Sequence, residues 1–271
     1  MPLPSSGSIS LNQIHVEAGG ANNSLCSIND SDIRSMIGKG NNAQNAFSEY
    51  RGVSASSPSV SYRGRATTTS DGFPLGYINL SSGTKVVVVT LQLAGSGNTY
   101  VRLGGTNMTQ AAKVDTVTPV SGIWQAAYTS AVYYLQTSAS GTVYISGNGG
   151  SGRSNLYVYE ITGYNSSTPY ATATAQQTNV DYTASISVSS QFNGMTIGSG
   201  ITEDSFSQTG ITVTNADSIE QIHMESASAH FAWYDGQTPS GTRTYTCTQT
   251  NPAYNIVPGG TLMQLTAAAW K

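Results

Sequence analysis

From about Ser61 to Lys271 the chain is written in the period of a β-strand, and that alternation excludes most other folds. Thr142-Val143-Tyr144-Ile145-Ser146, the pair Leu156 and Val158 against Tyr157 and Tyr159, and Thr242 to Thr248 each place successive residues on opposite faces. In the last of these one face is all threonine. Thr84 to Leu93 is a denser apolar run, rich in valine and interrupted by Gln92. Glycines at Gly83, Gly95, Gly104-Gly105, Gly122, Gly141, Gly147 and Gly241 divide these runs at hairpin-like intervals. No capped run of helical period follows Gly52. Strands paired in sequence into antiparallel sheets, as a β-sandwich over residues 62–271, are therefore the expected body.

The body carries a hint of duplication. Ser140-Gly141-Thr142 before one strand is matched by Ser240-Gly241-Thr242 before another. An aromatic segment precedes each, Trp124 to Tyr134 and Phe231 to Tyr234, and a strand follows each, Leu156 to Ile161 and Leu262 to Trp270. This fits two halves of one jelly roll, or two tandem immunoglobulin-like sandwiches over about 62–165 and 166–271.

Residues 1–52 read differently. A motif recurs every 19 residues: Ile9-Ser10-Leu11-Asn12-Gln13-Ile14, then Ile28-Asn29-Asp30-Ser31-Asp32-Ile33, then a degenerate copy from Phe47. In the first copy Ser10 is placed to cap a helix, Gln13 to close the capping box, and Ile9 to staple onto Ile14. Asn29, Asp32 and the Ile28/Ile33 pair repeat that arrangement, and Gly19 and Gly38 stand where helices stop. Helices of about two turns are not stable alone. The few apolar residues, among them Ile9, Leu11, Ile14, Ile28, Ile33, Ile37 and Phe47, are expected to form a docking surface against a partner. Residues 53–61, rich in Ser, Ala and Pro, read as a linker.

Only 9% of the residues are charged and the formal net charge is -3, so the surface is polar without being ionic. With 11 Lys and Arg spread thinly there is no basic stripe for nucleic acid. The longest purely aliphatic run, Val86 to Val89, is far too short for a membrane span. The N-terminus lacks the charged and apolar regions of a signal peptide, which implies synthesis in the cytoplasm. Cys26 and Cys247 are the only cysteines; two free thiols are expected, with a disulfide between them as the alternative.

Catalytic chemistry finds little support. With 14 acids and three histidines, no motif gathers titratable groups, so no enzyme activity and no cofactor is expected. Glu203-Asp204 are neighbours that an extended chain points in opposite directions. Gln221, His223 and Glu225 share one strand face, with His230 nearby, and read as a solvated face ahead of a metal site. Trp124, Trp233 and Trp270 are expected in cores. Tyr144, Tyr157 and Tyr159 are the aromatics left for a host surface glycan.

The stretch Leu3-Pro4-Ser5-Ser6-Gly7-Ser8-Ile9-Ser10, followed by Ser27 to Gly40 and by Ala46-Phe47-Ser48-Glu49-Tyr50-Arg51-Gly52, resembles the opening of many structural proteins of tailed-phage virions. In that group a short leader precedes two small helices and an aromatic-Gly ending, and varied distal domains follow. Tyr50-Arg51-Gly52 stands where the group more often has Phe-Tyr-Gly. The distal part resembles the β-sandwich modules of phage fibres in style. The resemblance implies a virion location in the tail, collar or head fibre, with capsid decoration or host-glycan adhesion as alternatives. It also implies attachment to other virion proteins through residues 1–52, and a homo-oligomer, a trimer ahead of other symmetries.

Overall fold

The computed structural model describes residues 3–37, 39–40, 43–51, 58–68, 75–94, 99–117, 127–148, 154–179, 183–191, 193–203, 210–224, 228–238, 241–250 and 261–271. It is mainly β, with antiparallel sheets behind a small helical N-terminal part, as the alternation requires.

Residues 3–51 contain helix α1 (Leu11–Glu17), helix α2 (Ser31–Ser35) and a 3-10 turn at Phe47–Tyr50. The first follows its sequence signals. Ser10 Oγ accepts from Gln13 N at 3.2 Å and Gln13 Oε1 accepts from Ser10 N at 2.7 Å, which closes the capping box. Gly19 takes φ +97° just past the end. The second copy departs from the repeat. Its N-cap is Asp30, not Asn29, because the Asn29 side chain accepts from the Arg34 guanidinium at 2.6 Å instead. Gly38 lies outside the described residues.

Among the described residues the body has seventeen strands, the first nine being β1 (Ser59–Thr68), β2 (Leu75–Leu80), β3 (Lys85–Ala94), β4 (Tyr100–Leu103), β5 (Thr106–Asn107), β6 (Thr109–Val117), β7 (Ala127–Thr137), β8 (Gly141–Asn148) and β9 (Ser154–Thr162). After Pro169 follow β10 (Ala171–Asn179), β11 (Thr183–Ser190), β12 (Gly194–Glu203), β13 (Gly210–Val213), β14 (Ser218–Met224), β15 (Ser228–Thr238), β16 (Gly241–Thr250) and β17 (Thr261–Trp270). Because β1 starts at Ser59, the sheet begins inside the stretch read as linker, and residues 53–57 lie outside the described residues.

The described strands form four sheets, and their order reveals the duplication. The first half pairs β1-β9-β3-β7-β6 in one sheet and β2-β8-β4-β5 in the other; the second pairs β10-β17-β12-β15-β14 and β11-β16-β13. Strand for strand the second half repeats the first, with β5 alone lacking a counterpart. Register is repeated too. Val86 of β3 faces Ile161 and Gln136 on its two sides, and the equivalent Met195 of β12 faces Trp270 and Gly236. Gly141 and Gly241 open β8 and β16 with φ +74° and +114°, values that favour glycine. Leaving β5 aside, eight strands in two sheets with this crossing order make each half a jelly roll of its own. Of the arrangements expected from sequence, the division into two tandem sandwiches near residue 165 is the one found, with jelly-roll in place of immunoglobulin-like connections.

The two five-stranded sheets lie against each other, so the layers run outer, inner, inner, outer. One core fills each sandwich, around Val87, Val89, Leu91 and Ile145 in the first and Phe231, Trp233, Tyr245 and Leu265 in the second. A third joins the halves, bringing Val86, Val88, Tyr157 and Tyr159 against Met195, Ile197, Ala268 and Trp270. Inner strands are thus buried on both faces and read as continuous apolar runs, which is why Val86 to Val89 shows no alternation. The outer strand β11 alternates buried and exposed residues along its length.

Polar side chains cross the junction between halves and pair with one another there. Gln92 Nε2 donates to Ser199 Oγ at 2.6 Å, Ser130 Oγ lies 3.1 Å from Thr266 Oγ1, and Asn155 Nδ2 lies 2.8 Å from His230 Nδ1. Left unpaired, each such group would cost about 1–3 kcal/mol, so this network fixes the registration of one jelly roll on the other.

Candidate functional site

Two surfaces stand out once the fold is in place. The first is the N-terminal unit, which encloses a small core of its own: Leu3, Ile14, Ala18, Ile33 and Tyr50 are buried, with Ile9, Leu11, Cys26, Ile28, Met36 and Ile37 packed around them. Ile14 and Ile33 are fully buried within it, so neither belongs to an outward docking surface as the repeat suggested. The reason lies in what packs with them, Leu3, Ala18 and Tyr50. Arg34, itself buried, donates through Nε to Gly40 O at 2.9 Å and through its terminal nitrogens to Asn29 and Ala43, tying the segment that holds Gly40 and Ala43 to α2. Asn45 ties that segment down, donating to Ile28 O at 2.8 Å and to Tyr50 Oη at 2.9 Å. Among the described residues of this unit the large apolar side chains left exposed are Val16, Leu25 and Phe47. Of these, Phe47 is one of the docking residues expected from the sequence.

The cysteines are apart. Cys26 sits half-buried in the N-terminal cluster, Cys247 is buried on β16 in the second sandwich, and both are free thiols, which removes the bridge between them. Burial pushes the Cys247 thiol well above its usual range.

The candidate polar groups of the body do not converge. Asp204, Glu225 and Trp124 lie outside the described residues, as do the side chains of Glu203 and His223. Gln221 is exposed, and its Oε1 accepts from Ile211 N at 2.8 Å, a contact that ties β14 to β13. His230 is buried in the junction between halves. Among the described residues no three His, Cys, Asp or Glu side chains gather as a group able to hold a metal. Trp233 and Trp270 are core residues, as expected.

Two of the three tyrosines reserved for a glycan are misplaced by the sequence reading. Tyr157 and Tyr159 are fully buried between the jelly rolls, where desolvation pushes both hydroxyls well above the usual tyrosine range. A strand of an outer sheet would have exposed them, but β9 is covered on both faces. Tyr144 is exposed, and it has company.

The second surface is the outer face of β2, β8 and β4. Ile78, Leu80, Ile145, Val101 and Leu103 point into the first core, which turns their strand neighbours Tyr77, Tyr144, Tyr100 and Arg102 outward. Tyr77 is 73% exposed, Tyr144 38% and Tyr100 37%. Tyr77 and Tyr144 are direct cross-strand partners, with ring centroids 5.5 Å apart and planes at 58°. The Arg102 guanidinium lies over the Tyr100 ring at 4.8 Å and donates to Asn107 Oδ1 at 2.8 Å. Beside the tyrosine pair, Thr142 donates to Asn79 Oδ1 at 2.8 Å. The alternation Gly76-Tyr77-Ile78-Asn79-Leu80 was the signal that could have placed Tyr77 outward.

Comparison with protein-family models, with curated proteins and with solved structures found no match for this chain.

Proposed function

We propose that the chain is a non-catalytic structural component of a tailed-phage particle, attached through residues 1–52 and displaying the double jelly roll. The observation that carries this reading is the division of labour along the chain. The N-terminal unit closes on its own core and leaves Val16, Leu25 and Phe47 in solvent, a cost that a docking surface offsets when it is covered. The body closes around three internal cores and exposes tyrosines, whose hydroxyls tolerate water, in place of the aliphatic Val16 and Leu25 and the ring of Phe47. The resemblance of Leu3 to Ser10 and of Ala46 to Gly52 to phage virion openings points the same way.

The test is incorporation into particles. Leu25→Asp with Phe47→Asp places charges at two exposed apolar positions outside the N-terminal core. Virions made with this variant are expected to lack the protein while its circular dichroism and melting stay those of the wild type. Full occupancy by the variant refutes the reading.

A further inference from the structure

We propose that the outer face of β2, β8 and β4 is a binding platform for a neutral saccharide chain, with the Tyr77/Tyr144 pair as its main station and Tyr100 with Arg102 as a second. Three observations carry it. The first is chemical. Exposed ring faces stack on the C–H faces of sugars, and the adjoining Asn79, Thr142 and Asn107 offer amides and hydroxyls to sugar hydroxyl groups. None of the four strands of this sheet carries a carboxylate, and Arg102 is its one cation.

The second is spacing. Tyr100 pairs with Asn148, four residues along β8 from Tyr144, which separates the two stations by about 13 Å along the strand. A single sugar ring cannot span that distance, so the ligand is an oligosaccharide or a polymer.

The third comes from the duplication. In the second jelly roll the positions of Tyr77 and Tyr144 are held by Ser187 and Thr244, which pair across β11 and β16 and hydrogen-bond at 2.7 Å. Ser185 and Thr246 do the same beside them at 2.9 Å. The fold is therefore complete with small hydroxyl residues on this face. The exposed rings answer to something other than sheet stability.

This inference deepens the display reading and rests on it only for the source of the sugar, a host surface; binding itself needs no particle, so the two fail separately. The experiment applies the purified full chain to a microarray of neutral oligosaccharides, followed by affinity electrophoresis through gels holding the matching polysaccharide. Retention is expected, and it persists at raised salt because no net charge is recognised. The variant Tyr77→Ser with Tyr144→Thr copies the second half and so keeps the fold, which circular dichroism checks; its affinity is expected to fall about tenfold or more. Absence of any retained saccharide, or equal retention by the variant, overturns the proposal. So does retention that disappears with salt and with Arg102→Ala but not with the tyrosines, which would assign the face to an acidic ligand.

Discussion

Gly198→Ala separates two opposed physical effects and tests the packing of the second core. On strand propensity alone the change should help, since glycine in a strand interior costs about 0.5–1 kcal/mol relative to alanine. The structure predicts the reverse sign. Gly198 is the cross-strand partner of Trp233, whose indole lies over it. A Cβ there would stand 2.1 Å from Cζ2, 2.2 Å from Cε2 and 2.6 Å from Cη2. The ring cannot step aside, because it is fully buried, stacked at 6.0 Å on Phe231 and tilted at 6.1 Å against Tyr245. Overpacking of this kind costs about 1–3 kcal/mol, and three simultaneous contacts put it at the upper end, for a net loss of about 2 kcal/mol. In the first jelly roll the equivalent pair is Val89 and Tyr133, so the glycine belongs to this tryptophan and not to the topology. Urea unfolding followed by far-UV circular dichroism measures the effect without relying on tryptophan emission. The decisive control is Trp233→Ala, which should itself cost about 3–5 kcal/mol. In that background Gly198→Ala should become neutral or stabilising, a coupling of about 2 kcal/mol or more. A Gly198→Ala protein as stable as the wild type, or an equal loss in both backgrounds, refutes the argument.

The thiols should differ sharply in reactivity: with Cys247 buried and its thiol pushed up, a thiol reagent is expected to find Cys26 alone in the folded protein and both after unfolding. Two fast-reacting thiols in the native state would contradict the burial. Asp235 gives a pH signature of unusual sign. Burial raises its carboxyl above the usual value, even though Tyr245 Oη and Arg243 Nε donate to Oδ2 at 2.8 and 2.9 Å and pull it part of the way back. A carboxyl raised on folding opposes stability where it is ionised, and that opposition is relieved as pH falls through its folded value. Wild type should therefore gain stability relative to Asp235→Asn on acidification from neutral pH, and urea midpoints moving the other way would show the paired charge to dominate.

Much of this molecule could be read from its residues. Strand period and glycine punctuation determine the all-β body, because a two-residue alternation with frequent turns has few other ways to bury one face. Ser10 and Gln13 determine the start of α1, since a capping box is a local contact among four residues. The matched Ser-Gly-Thr turns at Gly141 and Gly241 already marked the duplication. What the residues alone did not decide was which sheets are covered twice. Whether an outward position on a strand meets solvent depends on what another sheet, built from a distant stretch of the chain, lays against it. Tyr157 and Tyr144 have the same local pattern, yet one is sealed against the second jelly roll and the other faces water. Ile14 and Ile33 likewise look like docking residues until the N-terminal unit closes on its own core, where Leu3, Ala18 and Tyr50 pack with them, a closure that no periodicity encodes.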